Sequence, residues 1–247
     1  MIKLSTENIF YTYEDGTEAI RNINFDSTKG KIIGIIGANG CGKSTFFHLL
    51  MGLLKPQSGS ILLNDKPIKY TKQALLEYRQ KVNLVFQNPD VQIFFSEIYD
   101  DLAFPLRNLG FSEKTINEKV MSAIQAVNAE DFFKKPVHFL SAGQKKRVSI
   151  AGILAIAPEI LLLDEPTAGL DPSSVKTIKL ILQNLKQKTT IIISSHDMDF
   201  IYELADYIYI FAKGEKIAEG DKSVFNNIPI IEKADLVQPY ALQFAER

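Results

Sequence analysis

Cysteine is nearly absent from this chain, since Cys41 is the only one among 247 residues. One thiol cannot form an intramolecular disulfide, which excludes a disulfide-stabilised fold and suits a reducing compartment. Net charge is nearly absent as well, because 28 basic and 29 acidic residues leave a formal charge of -1. No overall electrostatic field therefore draws the chain toward nucleic acid or an anionic membrane surface.

Long apolar segments are also lacking. The most apolar window, residues 150–163, is interrupted by Pro158 and Glu159, so no segment is predicted to cross a bilayer. The first residues become polar too early for a secretory signal, and we expect none. Any membrane association is therefore expected to go through a partner. The hydrophobic content of 46% still provides a real core for one large or two modest domains.

A glycine-rich segment between an apolar run and a helical pattern is the most informative motif. It matches the phosphate-binding pattern G-x-x-x-x-G-K-[ST] and reads Gly37-Ala38-Asn39-Gly40-Cys41-Gly42-Lys43-Ser44-Thr45. Its backbone N–H groups can surround an oxyanion, and the positive end of the following helix adds to this cradle. Lys43 is predicted to reach the terminal phosphates and Ser44 to ligate Mg²⁺. A plain glycine turn would need neither side chain, so the segment predicts a triphosphate site.

Strands alternate with helices along most of the chain, which is typical of a parallel sheet flanked by helices. Before the phosphate loop, residues 2–10 and 19–25 alternate apolar and polar side chains, which predicts an antiparallel sheet. From residue 96 to about 128 the pattern is helical and predicts helices over 97–104 and 113–127, with a break at Pro105. This helical part is an insertion between strands of the nucleotide core.

A second group of polar residues follows buried strands further along the chain. Residues 160–163 form a continuous apolar run that ends in Asp164 and Glu165, as expected for a central strand whose carboxyl end faces a bound nucleotide. The alternative for this pair is a charged strand end in solvent. His196 follows another buried strand, and Asp171 before Pro172 predicts a helix N-cap.

These motifs together resemble the ATP-binding-cassette ATPases over almost the whole chain, from about Ile2 to Gly220. The matching elements are the phosphate loop, Gln87 after a strand, Leu140-Ser141-Ala142-Gly143-Gln144, the strand ending in Asp164-Glu165, Ala168-Gly169-Leu170-Asp171, and His196. The resemblance implies an α/β fold: a P-loop NTPase cassette with a RecA-like parallel core, an N-terminal antiparallel β-subdomain and an inserted α-helical signature subdomain. It implies an ATP-binding domain over residues 1–224, with the insertion at about 90–157, and a short C-terminal extension over 225–247.

The resemblance also implies a role for each motif, with ATP and Mg²⁺ as cofactors. Glu165 resembles the family's general base, His196 the residue that contacts the γ-phosphate, and Gln87 the Q-loop residue that touches Mg²⁺ and water. Ser44, Gln87 and Asp164 are then the Mg²⁺ ligands. The nucleotide-binding set is Tyr13, Gly37, Asn39, Gly40, Cys41, Gly42, Lys43, Ser44 and Thr45. Tyr13 would stack on adenine, although Tyr11 or simple packing on the sheet are alternatives.

The family's signature binds nucleotide held by the other subunit, so the resemblance implies a head-to-tail dimer. This dimer is either a homodimer or a heterodimer with a similar ATPase. Ser141, Gly143 and Gln144 match that signature in trans, and Asp171 matches the loop that crosses the dimer interface. Ala142 departs from the family's glycine by one methyl group. Cys41 has two interpretations: a thiol whose pKa is lowered beside Lys43 and a helix N-terminus, or a small residue in place of Ser or Ala.

The segment from Phe86 to Phe95 is similar to the Q-loop region of energy-coupling-factor importers. Three further segments are similar to the cobalt and nickel branch of that group: Gly16-Thr17-Glu18-Ala19, Gln144-Lys145-Lys146-Arg147-Val148 and His196-Asp197-Met198-Asp199. This resemblance implies a peripheral ATPase at the cytoplasmic face of the membrane, a transmembrane coupling subunit contacted through Gln87–Phe95, and a substrate-binding membrane subunit. Cobalt or nickel is the favoured cargo, and a vitamin is the alternative. A soluble cassette acting on nucleic acid or ribosomes is the other class, but Lys134-Lys135 and Lys145-Lys146-Arg147 are its only basic clusters, so no nucleic-acid partner is expected.

Overall fold

The computed structural model describes residues 2–243. Its strands, in chain order, are β1 (Leu4–Thr12), β2 (Glu18–Asp26), β3 (Ile32–Ile36), β4 (Ser58–Leu63), β5 (Lys66–Pro67), β6 (Val82–Val85), β7 (Ile160–Asp164), β8 (Thr190–Ser195), β9 (Tyr207–Ala212) and β10 (Glu215–Gly220). Its helices are α1 (Lys43–Leu50), α2 (Lys72–Lys81), α3 (Ile98–Asn108), α4 (Glu113–Ala126), α5 (Ala142–Ile156), α6 (Pro172–Leu185), α7 (Met198–Leu204), α8 (Ile228–Lys233) and α9 (Tyr240–Gln243).

The larger sheet is the predicted parallel core. Its strand order is β10-β9-β3-β8-β7-β6, and all neighbours are parallel except β10, which pairs antiparallel with β9 at the edge. Every residue of β3, β7 and β8 is buried, as expected for strands covered by helices on both faces. The β-branched runs of isoleucine that form β3 and β8 suit this double-sided packing.

The N-terminal strands form the predicted antiparallel sheet, in the order β2-β1-β4-β5. Helix α1 lies between the two sheets and joins their cores. The ring centroid of Phe46 in α1 is 5.5 Å from Phe25 in β2 and 5.3 Å from Phe211 in β9. Aromatic contacts on both sides therefore hold the start of α1, and with it the preceding loop, at a fixed depth between the sheets.

Helices α3, α4 and α5 are inserted between β6 and β7, as predicted. The apolar stripe of α4 is buried at Ile116, Val120 and Ile124. The predicted break at Pro105 is wrong, because α3 runs unbroken past it to Asn108. Proline normally disrupts a helix by removing one N–H donor and crowding the preceding turn. Here Leu102 and Leu106 are completely buried on either side of it, and this packing outweighs the local penalty.

The segment after β10 packs on its own chain. Phe225 is completely buried, with its ring 5.7 Å from that of Tyr202 in α7, and the Tyr240 N–H donates to the Asp199 carboxylate at 2.7 Å. Residues 225–243 of the predicted extension are thus joined to α7, whereas residues 244–247 lie outside the described residues. Within residues 2–243, no helix combines the length and the apolar character needed to span a membrane.

Candidate active site

Four neighbouring strands of the parallel sheet place the predicted motifs at one edge. In the order β3-β8-β7-β6 each strand is parallel to the next, so their carboxyl ends lie side by side. The phosphate loop follows β3, and His196 follows β8, which ends at Ser195. Glu165 follows β7, which ends at Asp164, and Gln87 lies just after β6. This is the position at which open α/β sheets bind ligands.

A cleft of about 610 Å³ opens at this edge. The predicted residues that line it are Tyr13, Asn39, Gly40, Gly42, Lys43, Ser44, Thr45, Gln87, Glu165 and His196. The cleft is also lined by six residues to which the sequence analysis assigned no place in the site: Thr17, Glu18, Ala19, Arg21, Lys213 and Gly214. They reach the cleft because the β2 edge meets the β9–β10 turn, where the Arg21 N–H donates to the Gly214 carbonyl at 2.7 Å.

Two glycines of the phosphate loop are required by close backbone approaches. Gly42 has φ of +109°, and a Cβ there would lie 2.5 Å from the Ala19 carbonyl oxygen. A Cβ on Gly37 would lie 2.4 Å from the Phe211 carbonyl oxygen. Any other residue at either position would clash with backbone that cannot move aside, so the loop can adopt this shape only with glycine.

Tyr13 is placed at the mouth of the cleft, and its hydroxyl lies 2.9 Å from the Thr45 hydroxyl at the start of α1. The Tyr11 ring packs edge-on against it at 5.1 Å and is partly buried on the core beneath. Of the two tyrosines, Tyr13 alone lines the cleft. Its ring is therefore fixed from one side while it borders the space in which a nucleotide would lie.

Lys43 and Glu165 form a buried charged pair under the loop. The Lys43 ammonium donates to the carbonyls of Gly37 at 2.7 Å and Ala38 at 3.1 Å, and it lies 3.5 Å from Glu165 Oε1. The other carboxylate oxygen, Oε2, lies 2.9 Å from His196 Nδ1. Glu165 Oε1 is buried yet accepts no hydrogen bond from any residue between 2 and 243. Such an atom is costly unless a donor from a ligand or water completes it.

Asp164 and Glu165 are both held by Ser194, a residue that sequence reasoning missed. The Ser194 hydroxyl donates to Asp164 Oδ1, and the Glu165 N–H approaches the Ser194 hydroxyl and carbonyl oxygens, each at 3.1 Å. Glu165 has φ of +43°, an unusual backbone conformation for a residue with a side chain. The available signal was the pair of serines that ends the apolar run of β8.

The signature residues lie outside the cleft. Ser141 and Gln144 form a capping box at the start of α5, with the Ser141 N–H donating to Gln144 Oε1 at 2.9 Å. Gly143 is buried against the start of α6, where a Cβ would lie 2.2 Å from the Ser174 hydroxyl. Asp171 caps α6, and its bonds to the Ser173 and Ser174 hydroxyls hold the pKa of its carboxyl well below the usual range.

The hypothesis that Cys41 has a lowered thiol pKa is wrong. The side chain is buried under the phosphate loop and lines no part of the cleft. Burial raises the pKa of the Cys41 thiol, and the nearby Lys43 ammonium only partly opposes this effect. The second interpretation, a small residue that fills space beneath the loop, agrees with this position.

Comparison with known proteins decides the family. The family model described as "ABC transporter" matches residues 20–168. This chain belongs to the ABC transporter ATP-binding proteins. It is an ATPase coupled to transport, and its two sheets and helical insertion are the cassette fold.

Several relatives of this ABC ATPase cover nearly its whole length. The energy-coupling factor transporter ATP-binding protein EcfA of Methanocaldococcus jannaschii is 45% identical over 100% of this chain and 89% of its own. The cobalt import ATP-binding protein CbiO of Salmonella paratyphi A is 44% identical over 97% and 89%.

Solved structures agree with these relatives. CbiO1 of Clostridium perfringens, part of the ABC transporter complex CbiONQ, superimposes with a TM-score of 0.85 at 39% identity and covers 99% of this chain and 98% of its own. The dimeric ATP-binding cassette MJ0796 in a post-hydrolysis state, bound to ADP and Pi, has a TM-score of 0.80 at 26% identity, over 89% and 98%. The ABC ATPase thus resembles both a component of a transport complex and a cassette with hydrolysis products bound.

Proposed function

We propose that this ABC ATPase is the ATP-hydrolysing subunit of an energy-coupling-factor importer that powers uptake of a transition-metal ion, with cobalt or nickel favoured. The observation that carries hydrolysis is the Glu165 carboxylate, which lies between Lys43 and His196 and whose buried Oε1 accepts no hydrogen bond from the described residues. The observation that favours this importer class is the full-length similarity to EcfA and CbiO.

Hydrolysis would begin at Glu165, which acts as the general base. Its Oε1 can accept a proton from an attacking water in the cleft, while His196 orients Oε2 and contacts the γ-phosphate. Lys43 leaves the Gly37 and Ala38 carbonyls to contact the terminal phosphates. Tyr13 borders the adenine ring of the nucleotide, and the backbone N–H groups from Gly37 to Thr45 surround its phosphates.

The donor set also fits Mg²⁺. Ser44 offers a hydroxyl, Asp164 a carboxylate at the strand end and Gln87 an amide, and Mg²⁺ is commonly bound by one or two carboxylates, retained waters and substrate phosphates. The bound ion would neutralise charge on the phosphates during hydrolysis. Ser194 prepares this arrangement because it fixes the Asp164 carboxylate at one oxygen.

Two copies of this ABC ATPase, or one copy and a similar ATPase, would share each nucleotide. Ser141, Gly143 and Gln144 lie outside the cleft of their own chain, which supports a role at the partner's γ-phosphate. Asp171, exposed at the start of α6, would lie at the dimer interface. The dimeric form of the MJ0796 cassette is a precedent for such a pair.

An apolar surface beside Gln87 would receive the transmembrane coupling subunit. Phe94 is 82% exposed and Val91 58% exposed, and Phe95 stacks on Phe104 with centroids 5.4 Å apart. The Asp101 carboxylate accepts the Phe94 and Phe95 N–H groups at 2.8 and 3.1 Å, so this loop has a defined shape. Exposed apolar groups of this kind mark sites of protein contact.

The remaining parts of the assembly follow from the same resemblance. A separate membrane subunit would capture the substrate, and this ABC ATPase would lie at the cytoplasmic face as a peripheral protein. A vitamin remains the alternative cargo, because an ATPase does not touch the transported solute. The basic clusters that favoured nucleic acid are structural in part, since Lys146 and Arg147 donate to carbonyls of their own chain.

The decisive experiment is reconstitution of the ABC ATPase with candidate coupling and substrate-binding subunits in vesicles. Uptake of cobalt, nickel and vitamins is measured with and without ATP, and a Glu165→Gln variant serves as the inactive control. We expect ATP-dependent uptake of a metal ion. Uptake of a vitamin alone would reject the metal assignment, and co-purification with RNA or DNA instead of membrane subunits would reject the importer.

A further inference from the structure

Lys146 is a buried cation that none of the roles described so far includes. It lies in the second turn of α5, five residues after Ser141, and only 1% of it is exposed. Its ammonium donates to the Gln87 carbonyl at 2.6 Å and to the Phe86 carbonyl at 3.0 Å. Burial lowers the pKa of Lys146 to about 8, while the Asp164 carboxylate opposes this shift. An ammonium is costly to bury, and these carbonyls are the groups that compensate it.

A second side chain joins the same two segments. The Phe86 N–H donates to Gln92 Oε1 at 3.0 Å, and Gln92 Nε2 donates to the Ser149 carbonyl of α5 at 2.9 Å. The backbone from Phe86 to Gln92 is therefore attached to α5 at both of its ends. The neighbouring Lys145 also reaches this segment, but among the described residues it contacts the exposed Asp90 carboxylate, at 2.7 Å, and no backbone carbonyl of the segment. Exposed ion pairs of that kind contribute little.

The position of Lys146 along α5 gives these bonds a functional meaning. Five residues of helix span about 7.5 Å, so a movement of Lys146 is transmitted to Ser141 with little loss in a rigid helix. The same ammonium holds the carbonyl of Gln87, the residue placed in the cleft. The Lys146 side chain thus joins Gln87, which lines the cleft of this subunit, to α5, the helix whose N-terminus is assigned to the cleft of the partner subunit.

We propose that Lys146 is a positioning residue that fixes the Q-loop backbone at Gln87 to the signature helix, so that Gln87 and Ser141 reach their two active sites in a single movement. This inference rests on the proposed function, since it uses the roles assigned there to Gln87 and Ser141. Lys146 belongs to none of the motifs described above, namely the phosphate loop, the carboxylate pair and the signature, so its role is additional to theirs. Lys146 does not touch nucleotide, and it acts through Gln87 and α5.

The test is a Lys146→Met variant of the full chain, with Lys145→Met as the matched control. Methionine retains much of the apolar stem but donates no hydrogen bond, so the Phe86 and Gln87 carbonyls lose their partner. We expect kcat for ATP to fall at least tenfold in Lys146→Met, while the Kd for MgATP changes less than twofold. Lys145→Met removes the same charge from the same turn but leaves the Lys146 bonds to the Phe86 and Gln87 carbonyls in place, so both values should stay within twofold of the parent protein.

Hydrogen exchange provides a readout that simple loss of stability would not reproduce. We expect faster exchange of the amides from 86 to 92 in Lys146→Met and unchanged exchange in β7. Faster exchange throughout the protein, an unchanged kcat, or a parallel loss of MgATP binding would each overturn the proposal. If Lys146→Met does not fold, it is replaced by Lys146→Gln, which keeps a hydrogen-bond donor without the charge. Failure of both variants to fold would show that Lys146 is purely structural.

Failure of the proposed function itself gives a different pattern. If the parent protein and Glu165→Gln hydrolyse ATP equally, the assignment of the active site is wrong whatever Lys146 does. If the parent protein is active, Glu165→Gln is inactive and Lys146→Met matches the parent, only the inference about Lys146 is wrong.

Discussion

At the scale of single residues, Ser194 shows how one hydroxyl organises two carboxylates. It is completely buried, donates to Asp164 and lies within hydrogen-bond distance of the Glu165 N–H. It therefore helps to hold Glu165 in its unusual positive-φ conformation, with Oε1 directed toward Lys43. The geometry of the proposed general base thus depends on a residue of the neighbouring strand that does not line the cleft itself.

We expect Ser194→Ala to lower both stability and turnover. Asp164 loses its buried donor, which should reduce the free energy of unfolding by about 1–3 kcal/mol, and kcat should fall by roughly tenfold because the carboxylates lose their fixed position. Urea denaturation and steady-state ATPase assays measure the two effects. Ser195→Ala is the control, since Ser195 is equally buried but accepts only the Asp197 N–H at 3.0 Å. Equal losses of kcat in the two variants would contradict this role.

Cys41 gives a prediction of the opposite kind, namely low reactivity. Thiolate is the reactive form, and burial both raises the pKa of the Cys41 thiol and blocks reagent access. We expect a maleimide at pH 7 to label the native protein far more slowly than the urea-unfolded protein. The native rate should increase only at a pH above the usual thiol range, and Cys41→Ser should keep ATPase activity. Rapid native labelling that ATP prevents would contradict the buried assignment.

The limits of sequence reasoning are clearest for individual side chains. Gly37, Gly42, Lys43 and Ser44 were found because they belong to one short motif, and the structure adds that a Cβ on either glycine would clash with backbone. Ser194 lies 30 positions along the chain from its partner Asp164, and Lys146 lies 59 positions from its partner Gln87. No local pattern reports such contacts, and only the assembled sheet brings them together.

At the scale of elements, the same contrast appears between α4 and α3. The buried stripe of α4 was predictable because its apolar residues recur at the spacing that places them on one face of a helix. Pro105 was misread because local propensity favours a break, whereas the packing of Leu102 and Leu106 keeps α3 continuous. Tertiary burial overrides propensity where the helix is held on both sides of the proline.

The loop before α3 supports a prediction about assembly. Phe94→Ala removes an exposed ring whose backbone is held by Asp101, so ATP binding should be unchanged while co-purification with the membrane subunits decreases several-fold. Phe111→Ala is the control, since Phe111 is also exposed but lies between α3 and α4, with the Lys119 ammonium of α4 5.2 Å from its ring centroid. Pull-down from solubilised vesicles and a nucleotide-binding assay measure the two effects. Equal recovery of both variants would count against the docking surface.

At the scale of the whole molecule, the proposed active site is divided between two places on one chain. The cleft holds the phosphate loop, Glu165 and His196, whereas the Ser141 and Gln144 capping box is exposed elsewhere on the same chain. Under the proposed function, a nucleotide in the cleft of one chain therefore lacks the contacts assigned to Ser141, Gly143 and Gln144, and the site is incomplete. A second subunit that brings its own α5 N-terminus to this cleft would supply backbone N–H groups and a positive helix end.

This incompleteness predicts a dimer that depends on nucleotide. With Glu165→Gln, hydrolysis stops, so MgATP should remain bound and shift the mass measured by light scattering from 27.7 kDa toward twice that value. Adding Ser141→Arg should prevent the shift, because a long side chain would occupy the contact with the partner's phosphates. Ser112→Arg is the matched control, since Ser112 is likewise an exposed serine that caps a helix, α4, and its loss carries the same local cost. A Glu165→Gln protein that stays monomeric at saturating MgATP, alone and with its membrane subunits, would mean that the site is completed by something other than a second cassette.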